Sequence, residues 1–87
     1  MIDNPLTWYQ LFKIDDLLVL PYIERSFELE NYGMGTVRFC KGNLYSLVFN
    51  GRYLPCKLND RNPYITDDGK YGAYLGTDGS VWLGVQL

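Results

Sequence analysis

Histidine is absent from this chain of 87 residues. Histidine is the usual general base near neutral pH and the commonest metal ligand in proteins. Its absence excludes serine–histidine and cysteine–histidine nucleophile pairs, and it excludes the zinc sites that need an imidazole. We therefore expect a protein that is not an enzyme, with no catalytic residues, no cofactor and no bound metal.

Cysteine is scarce, and long apolar runs are missing. Cys40 and Cys56 fall on predicted strands that are two apart, or on opposite faces, and strands two apart lie roughly 9–10 Å from each other. A disulfide cannot reach that far, so we expect two reduced thiols, one of them in the core. The longest nearly apolar run, 17–23, is far too short to span a bilayer, and the acidic first residues do not resemble a secretory signal. The sequence thus predicts a soluble cytoplasmic protein with no membrane contact.

The composition is that of a globular protein, with 47% hydrophobic and 21% charged residues. This length predicts a single domain covering 1–87. Charge is segregated along the chain, because residues 1–32 carry six acids against two bases and residues 38–61 carry five bases against one acid. Either the two halves complement each other within the fold, or one of them presents a charged face to a partner.

The first residues have the features of a helix start. Asn4 is a good N-cap, and Pro5 is tolerated at the first helical position. Trp8, Leu11 and Phe12 then follow the i, i+3, i+4 spacing of one helical face. The pattern predicts a short N-terminal helix.

Two further segments precede the glycine-rich part of the chain. Residues 17–20 fit a second short helix that Asp15 or Asp16 caps and Pro21 ends, and they fit a strand equally well. Residues 26–30 alternate polar and apolar side chains, which predicts a half-buried strand.

From residue 33 onward the sequence predicts antiparallel strands. Asn50-Gly51 favours a two-residue type I′ hairpin between the runs 44–49 and 52–58. The resulting register pairs Phe49 with Arg52, Leu47 with Leu54, and Tyr45 with Cys56. A three-residue loop at 41–43 then places Val37 and Phe39 on the same face as Tyr45 and Leu47.

The last third repeats this pattern with turns at 67–69 and 77–79, the second with Gly79 in the left-handed position. The predicted core face holds Tyr71, Ala73, Leu75, Val81, Leu83 and Val85. The same register sets Tyr74 opposite Trp82 on the other face. The complete prediction is an α+β fold, with one or two short N-terminal helices followed by an antiparallel meander of about five or six strands, as an open sheet or a small barrel.

The pair Tyr74 and Trp82 is the first candidate site, because tyrosine and tryptophan often anchor protein interfaces. The alternative is that the N-terminal helix covers this face, with Trp8 packed on Trp82. Acidic side chains of the N-terminal third offer a second surface for a larger protein partner. The acids assigned to this surface are Asp15, Asp16, Glu28 and Glu30.

Basic and aromatic residues alternate along the middle hairpin, as they do in small β domains that bind single-stranded nucleic acid. The candidate residues for nucleic acid are Arg38, Lys41, Arg52, Lys57 and Tyr53. The sequence pI of about 4.8 weighs against this interpretation, since dedicated nucleic-acid binders usually lie above about 9.

We therefore expect a small protein-binding module that acts as an adaptor or inhibitor of a larger intracellular protein. One alternative is a nucleic-acid-binding β domain. Another is a self-associating structural subunit in which an edge strand, such as the C-terminal one, pairs between copies. The glycine-punctuated half has the general look of small β modules from phage and mobile elements, but no motif supports a match to a family.

Overall fold

The computed structural model describes residues 6–14, 21–40, 44–57 and 63–86. Within these ranges the protein is all-β and contains no helix, so the predicted α+β class is wrong. The strands are β1 (Thr7–Lys13), β2 (Tyr22–Leu29), β3 (Gly33–Cys40), β4 (Leu44–Phe49), β5 (Arg52–Lys57), β6 (Tyr64–Ile65), β7 (Tyr71–Leu75) and β8 (Ser80–Val85). In this part of the chain no helix is long and apolar enough to cross a membrane.

The strands form two antiparallel sheets of four strands each. Sheet I has the order β1-β8-β7-β6, and sheet II is the simple meander β2-β3-β4-β5. The prediction was one meander of about five or six strands after the N-terminal helices, and it did not include a division into two sheets. The C-terminal strand β8 pairs on both sides, so the prediction that it forms an edge is wrong.

The segment predicted as a helix is β1, which pairs with β8. The register shifts between Gln10 and Phe12, so Leu11 forms a β-bulge. The bulge places Trp8 on the outer face of the sheet and Phe12 on the core face, opposite Val81. The helical spacing of Trp8, Leu11 and Phe12 therefore comes from a bulged strand, and the two faces are those of a sheet.

The core lies between the two sheets and draws on the inward faces of both. Its largest fully buried side chains are Phe39, Phe49, Leu47, Leu54, Leu75, Leu83, Val37, Val81 and Val85. Phe49 of sheet II stacks on Phe27 at 5.9 Å between ring centroids and meets Tyr71 of sheet I edge-on at 5.6 Å. The edge-on contact between Phe49 and Tyr71 connects the two sheets.

The hairpin registers predicted from the turns are confirmed. Phe49 pairs with Arg52, and Leu47 pairs with both Leu54 and Val37. Asn50 and Gly51 have φ values of 51° and 79°, as a type I′ turn requires. The predicted loop at 41–43 and the element at 17–20 lie outside the described residues.

The turn at 77–79 also fixes the end of β1. Gly79 has a φ of +88°, and its carbonyl accepts a hydrogen bond of 2.8 Å from the N–H of Ile14. A Cβ at this position would lie 2.4 Å from the carbonyl oxygen of Ile14. Glycine is therefore required here for two reasons, the left-handed backbone and the close approach of β1.

Candidate protein-binding groove

The outer face of sheet I carries a groove with aromatic walls. Trp8, Pro63, Tyr74 and Trp82 line it, and its volume is about 420 Å³. We call these four residues the aromatic groove. Trp8, Tyr74 and Trp82 are half-buried, so each ring is partly held by the protein and partly open to solvent.

Two glycines allow the groove to form. Gly72 of β7 and Gly84 of β8 are directly opposite each other in the ladder, and Gly84 is also opposite Trp8. A Cβ on Gly72 would lie 2.8 Å from Cη2 of Trp8, and a Cβ on Gly84 would lie 3.1 Å from Cδ2 of the same ring. The indole therefore lies against bare backbone, in a place where any other residue would push it away.

The Trp82 ring is held by a short chain of hydrogen bonds. Its Nε1–H donates to Oγ of Ser80 at 3.0 Å, and the Ser80 hydroxyl donates to Oδ1 of Asp78 at 2.6 Å. The Ser80 backbone N–H donates to the same carboxylate oxygen at 3.0 Å. These bonds from Ser80, the hydroxyl first, hold the pKa of Asp78 below its usual value of 3.8. An ionised Asp78 thus fixes the serine, and the serine fixes the indole.

The sequence identified two of the groove residues and missed the others. Tyr74 is opposite Trp82, as predicted. The alternative placed Trp8 on a covering helix, whereas Trp8 reaches this face from β1, two strands away from Tyr74. Trp8 was missed because its role depends on the β1–β8 register, which no local pattern specifies.

The acidic residues assigned to a second surface for a protein partner lie elsewhere in the fold. Glu28 is on β2 of sheet II and Glu30 is in the turn that follows; both are exposed. The groove is on sheet I, so the structure does not bring these two acids to it. Asp15 and Asp16 lie outside the described residues.

The basic residues of the middle hairpin are divided between two faces. Arg38 is on the outer face of sheet II, where its Nε lies 3.2 Å from Oε1 of Glu24. Arg52 is opposite the buried Phe49, and its guanidinium reaches towards sheet I. Exposed Tyr53 shares the outer face with Arg38. Lys41 lies outside the described residues, and Lys57 is described by its backbone alone.

Arg52 joins the two sheets through the turn between β6 and β7. Its Nη2 donates to Oδ2 of Asp68 at 3.0 Å, and its Cζ lies 5.5 Å from the ring centroid of Tyr71. The other oxygen of Asp68 accepts from the hydroxyl of Thr66 at 2.6 Å and from the N–H of Lys70 at 3.0 Å. The Thr66 hydroxyl, then the Lys70 N–H and then Arg52 lower the pKa of Asp68 to about 2.

Within the described ranges, no three cysteine, aspartate or glutamate side chains come together as a metal site would require. Cys40 is a free, exposed thiol on β3, two strands from Cys56 of β5. No family model matches the chain, and searches of curated proteins and of solved structures find no match.

Proposed function

We propose that this protein is a small, non-enzymatic protein-binding module, an adaptor or inhibitor that holds a segment of a larger protein in the aromatic groove. The observation that supports this proposal is the groove itself, in which Trp8, Tyr74 and Trp82 share one sheet face and Trp8 lies against two glycines. Tryptophan and tyrosine dominate the energetics of protein interfaces when they sit in a formed pocket.

The groove is formed before any partner binds. The hydrogen bond from Trp82 to Ser80 and the close approach of Trp8 to Gly72 hold both rings in place. A partner therefore loses less free energy to ordering these side chains than it would on a mobile surface. The four described residues that line the groove are uncharged, which favours an apolar segment as the group that enters it.

Nucleic acid is the competing partner, since bases also stack on exposed aromatic rings. Binding of phosphates needs cations near those rings. Of the predicted nucleic-acid residues, the two arginines whose side chains the structure describes, Arg38 and Arg52, are on opposite faces of sheet II, and each is paired with a carboxylate. The geometry therefore supports a protein partner over a nucleic acid. The unpaired thiol of Cys40 supports a reducing compartment, and we propose the cytoplasm.

The test compares two matched variants as baits in a nuclease-treated native lysate. Trp82→Ala removes a wall of the groove, and Tyr53→Ala removes an exposed aromatic ring from the outer face of sheet II. We expect a partner that the wild type and Tyr53→Ala retain and that Trp82→Ala loses. With the purified partner, Trp82→Ala should raise the Kd by about 30-fold, the effect of a residue worth about 2 kcal/mol.

Three results contradict the proposal. The first is a partner retained equally by Trp82→Ala, and the second is recovery that depends on intact nucleic acid and falls steeply with salt. The third is loss of the fold in Trp82→Ala, which would make Trp82 a structural residue. Thermal unfolding of both variants separates this last outcome from loss of binding.

A further inference from the structure

Among the described residues the two sheets have four edge strands, and three of these strands carry features that block pairing with another chain. β6 has two residues, and β1 contains the bulge at Leu11. β5 contains Pro55, which has no N–H to donate. β2 differs from all three, because it is eight residues long and pairs with β3 in an unbroken register from Tyr22 to Leu29.

The register shows which backbone groups of β2 face away from the sheet. The two-residue turn makes Phe49 and Arg52 a hydrogen-bonded pair, so Val48 directs its backbone groups towards β3. The bond from the N–H of Asn50 to the carbonyl of Met34 fits the same alternation. Continued across β3, the alternation leaves the N–H and C=O groups of Tyr22, Glu24, Ser26 and Glu28 directed outward from β2.

The same alternation explains why β5 can accommodate a proline at position 55. In β5, Arg52 and Leu54 direct their backbone groups to β4, and Pro55 falls on the outward side. Its missing N–H therefore removes a donor from the free edge of sheet II and costs no bond within the sheet. Pro55 thus hinders pairing of a further strand with β5, whereas β2, at the opposite edge of sheet II, contains no proline.

Charge opposes the pairing of β2 with a second copy of itself. An antiparallel pair about a two-fold axis sets Glu24 opposite Glu28 when it is centred on Ser26. Centred on Glu24, Arg25 or Glu28, it sets that residue opposite itself, and centred on Phe27 it sets Glu24 opposite Glu30. Like charges directly opposite each other destabilise a ladder, so β2 selects a different strand.

We propose that β2 is a second docking surface, which takes up an extended segment of a partner protein as a fifth, antiparallel strand of sheet II. Glu24 is already paired with Arg38, whereas Glu28 and Arg25 make no ion pair within the part of the chain that the structure describes. The incoming strand therefore carries a basic residue opposite Glu28 and, three residues later, an acidic residue opposite Arg25. This surface is separate from the aromatic groove and does not depend on it.

The probe is the blocked seven-residue peptide Lys-Val-Thr-Glu-Thr-Val-Thr, whose lysine faces Glu28 and whose glutamate faces Arg25. The control peptide exchanges the lysine and the glutamate and keeps everything else. In an NMR titration we expect the first peptide to bind about tenfold more tightly, because two cross-strand charge pairs change from attractive to repulsive. The variant with Arg25→Glu and Glu28→Arg should reverse that preference.

Ser26→Pro tests the backbone part of the proposal, because it removes an outward N–H and leaves the ladder to β3 intact. We expect it to weaken binding of the matched peptide by about tenfold, the effect of one lost hydrogen bond, while Ser26→Ala binds as the wild type does. A readout that needs no variant is hydrogen exchange of the wild-type protein. The peptide should slow exchange at the amides of Glu24, Ser26 and Glu28.

Equal affinity for the two peptides, or unchanged binding by a folded Ser26→Pro, would overturn the proposal. Exchange that slows at none of the outward amides of β2 would do so as well. The indole N–H signals of Trp8 and Trp82 should not move; if they do, the peptide occupies the aromatic groove and β2 is not the docking surface. These outcomes are independent of the lysate experiment with Trp82→Ala, so either proposal can fail alone.

Discussion

At the scale of single residues, the geometry of the groove depends on Ser80, a side chain that is only 6% exposed. Its hydroxyl connects the Trp82 indole to the Asp78 carboxylate. We predict that Ser80→Ala raises the pKa of Asp78 towards 3.8, because the hydroxyl is the largest cause of its lowering. An NMR titration of the carboxyl carbon measures this pKa directly.

Thr77→Ala is the control for Ser80→Ala, since it changes an exposed residue of the same turn. It should leave both the Asp78 titration and the tryptophan emission unchanged. In Ser80→Ala the emission of Trp82 should shift, because its Nε1–H loses its acceptor. If Asp78 titrates alike in wild type and Ser80→Ala, the hydrogen-bond chain does not hold in solution.

Gly72 is the second residue on which the groove depends. A Cβ there would lie 2.8 Å from Trp8 and 2.8 Å from Leu6, both side chains, so the variant folds at a cost. We predict that Gly72→Ala lowers the free energy of unfolding by about 1–3 kcal/mol, as overpacking usually does. The same Gly72→Ala change should lower the free energy of unfolding by less in a Trp8→Ala background, because the ring is then gone. Urea titrations of the wild type, the two single variants and the double variant measure the coupling free energy between positions 8 and 72. If the losses in the free energy of unfolding from the two substitutions simply add, Trp8 does not lie on Gly72.

At the scale of elements, local patterns predicted the turns and failed for the first strand. Asn50-Gly51 and the turn at 77–79 were readable because type I′ turns and left-handed positions select these residues directly. β1 was not readable, since its helical spacing comes from a bulge and its partner is the last strand of the chain. Long-range pairing decided the structure of β1, and a local window contains no signal of it.

The turn at Gly79 offers a matched comparison at this scale. Gly79 and Gly51 have similar φ values, +88° and +79°, but a Cβ on Gly79 meets the carbonyl of Ile14 whereas one on Gly51 meets nothing within 4 Å. We predict that Gly51→Ala costs about 1 kcal/mol from backbone strain alone. Gly79→Ala should cost clearly more, because β1 must also move away from the turn.

Thermal and urea unfolding of the two glycine variants give the comparison. Hydrogen exchange at Ile14 adds a local readout, since its N–H bonds the Gly79 carbonyl. That amide should exchange faster in Gly79→Ala and at the wild-type rate in Gly51→Ala. Equal losses of stability in the two variants would show that the contact with Ile14 does not constrain the turn.

At the scale of the whole molecule, the sequence predicted a sheet with the right inward faces but gave no sign of how many sheets there are. Val81 was assigned to a core face, and Val37 and Leu47 were placed on one common face of the middle hairpin; all three are fully buried. Of the aromatic groove, the sequence predicted the Tyr74–Trp82 pair but not Trp8, Pro63 or the two glycines beneath Trp8. Glu28 was assigned to a second surface for a protein partner, but the sequence did not place that surface relative to the aromatic pair, because charge along a sequence does not show which sheet a residue joins.

The connection between the sheets through Asp68 makes stability depend on pH. The pKa of Asp68 is about 2 in the folded protein against an ordinary 3.8, so the folded state favours the ionised carboxyl. The ionised Asp68 carboxyl therefore contributes to the free energy of unfolding. This contribution is fully present above pH 3.8 and is lost as the pH falls towards 2. Asp68→Asn should therefore lower the urea midpoint at neutral pH and flatten its decline over this acid range.

Asp67→Asn is the matched control, because it removes the same charge from the same turn and leaves the bonds of Asp68 to Thr66, Lys70 and Arg52 in place. Its acid decline should follow that of the wild type, with Asp78 contributing in the same direction in both. Urea midpoints at several pH values between about 2 and 7 distinguish the variants. If Asp68→Asn declines as steeply as Asp67→Asn, the bonds around Asp68 do not stabilise the packing of the two sheets, and the aromatic contacts between Phe49 and Tyr71 hold them without it.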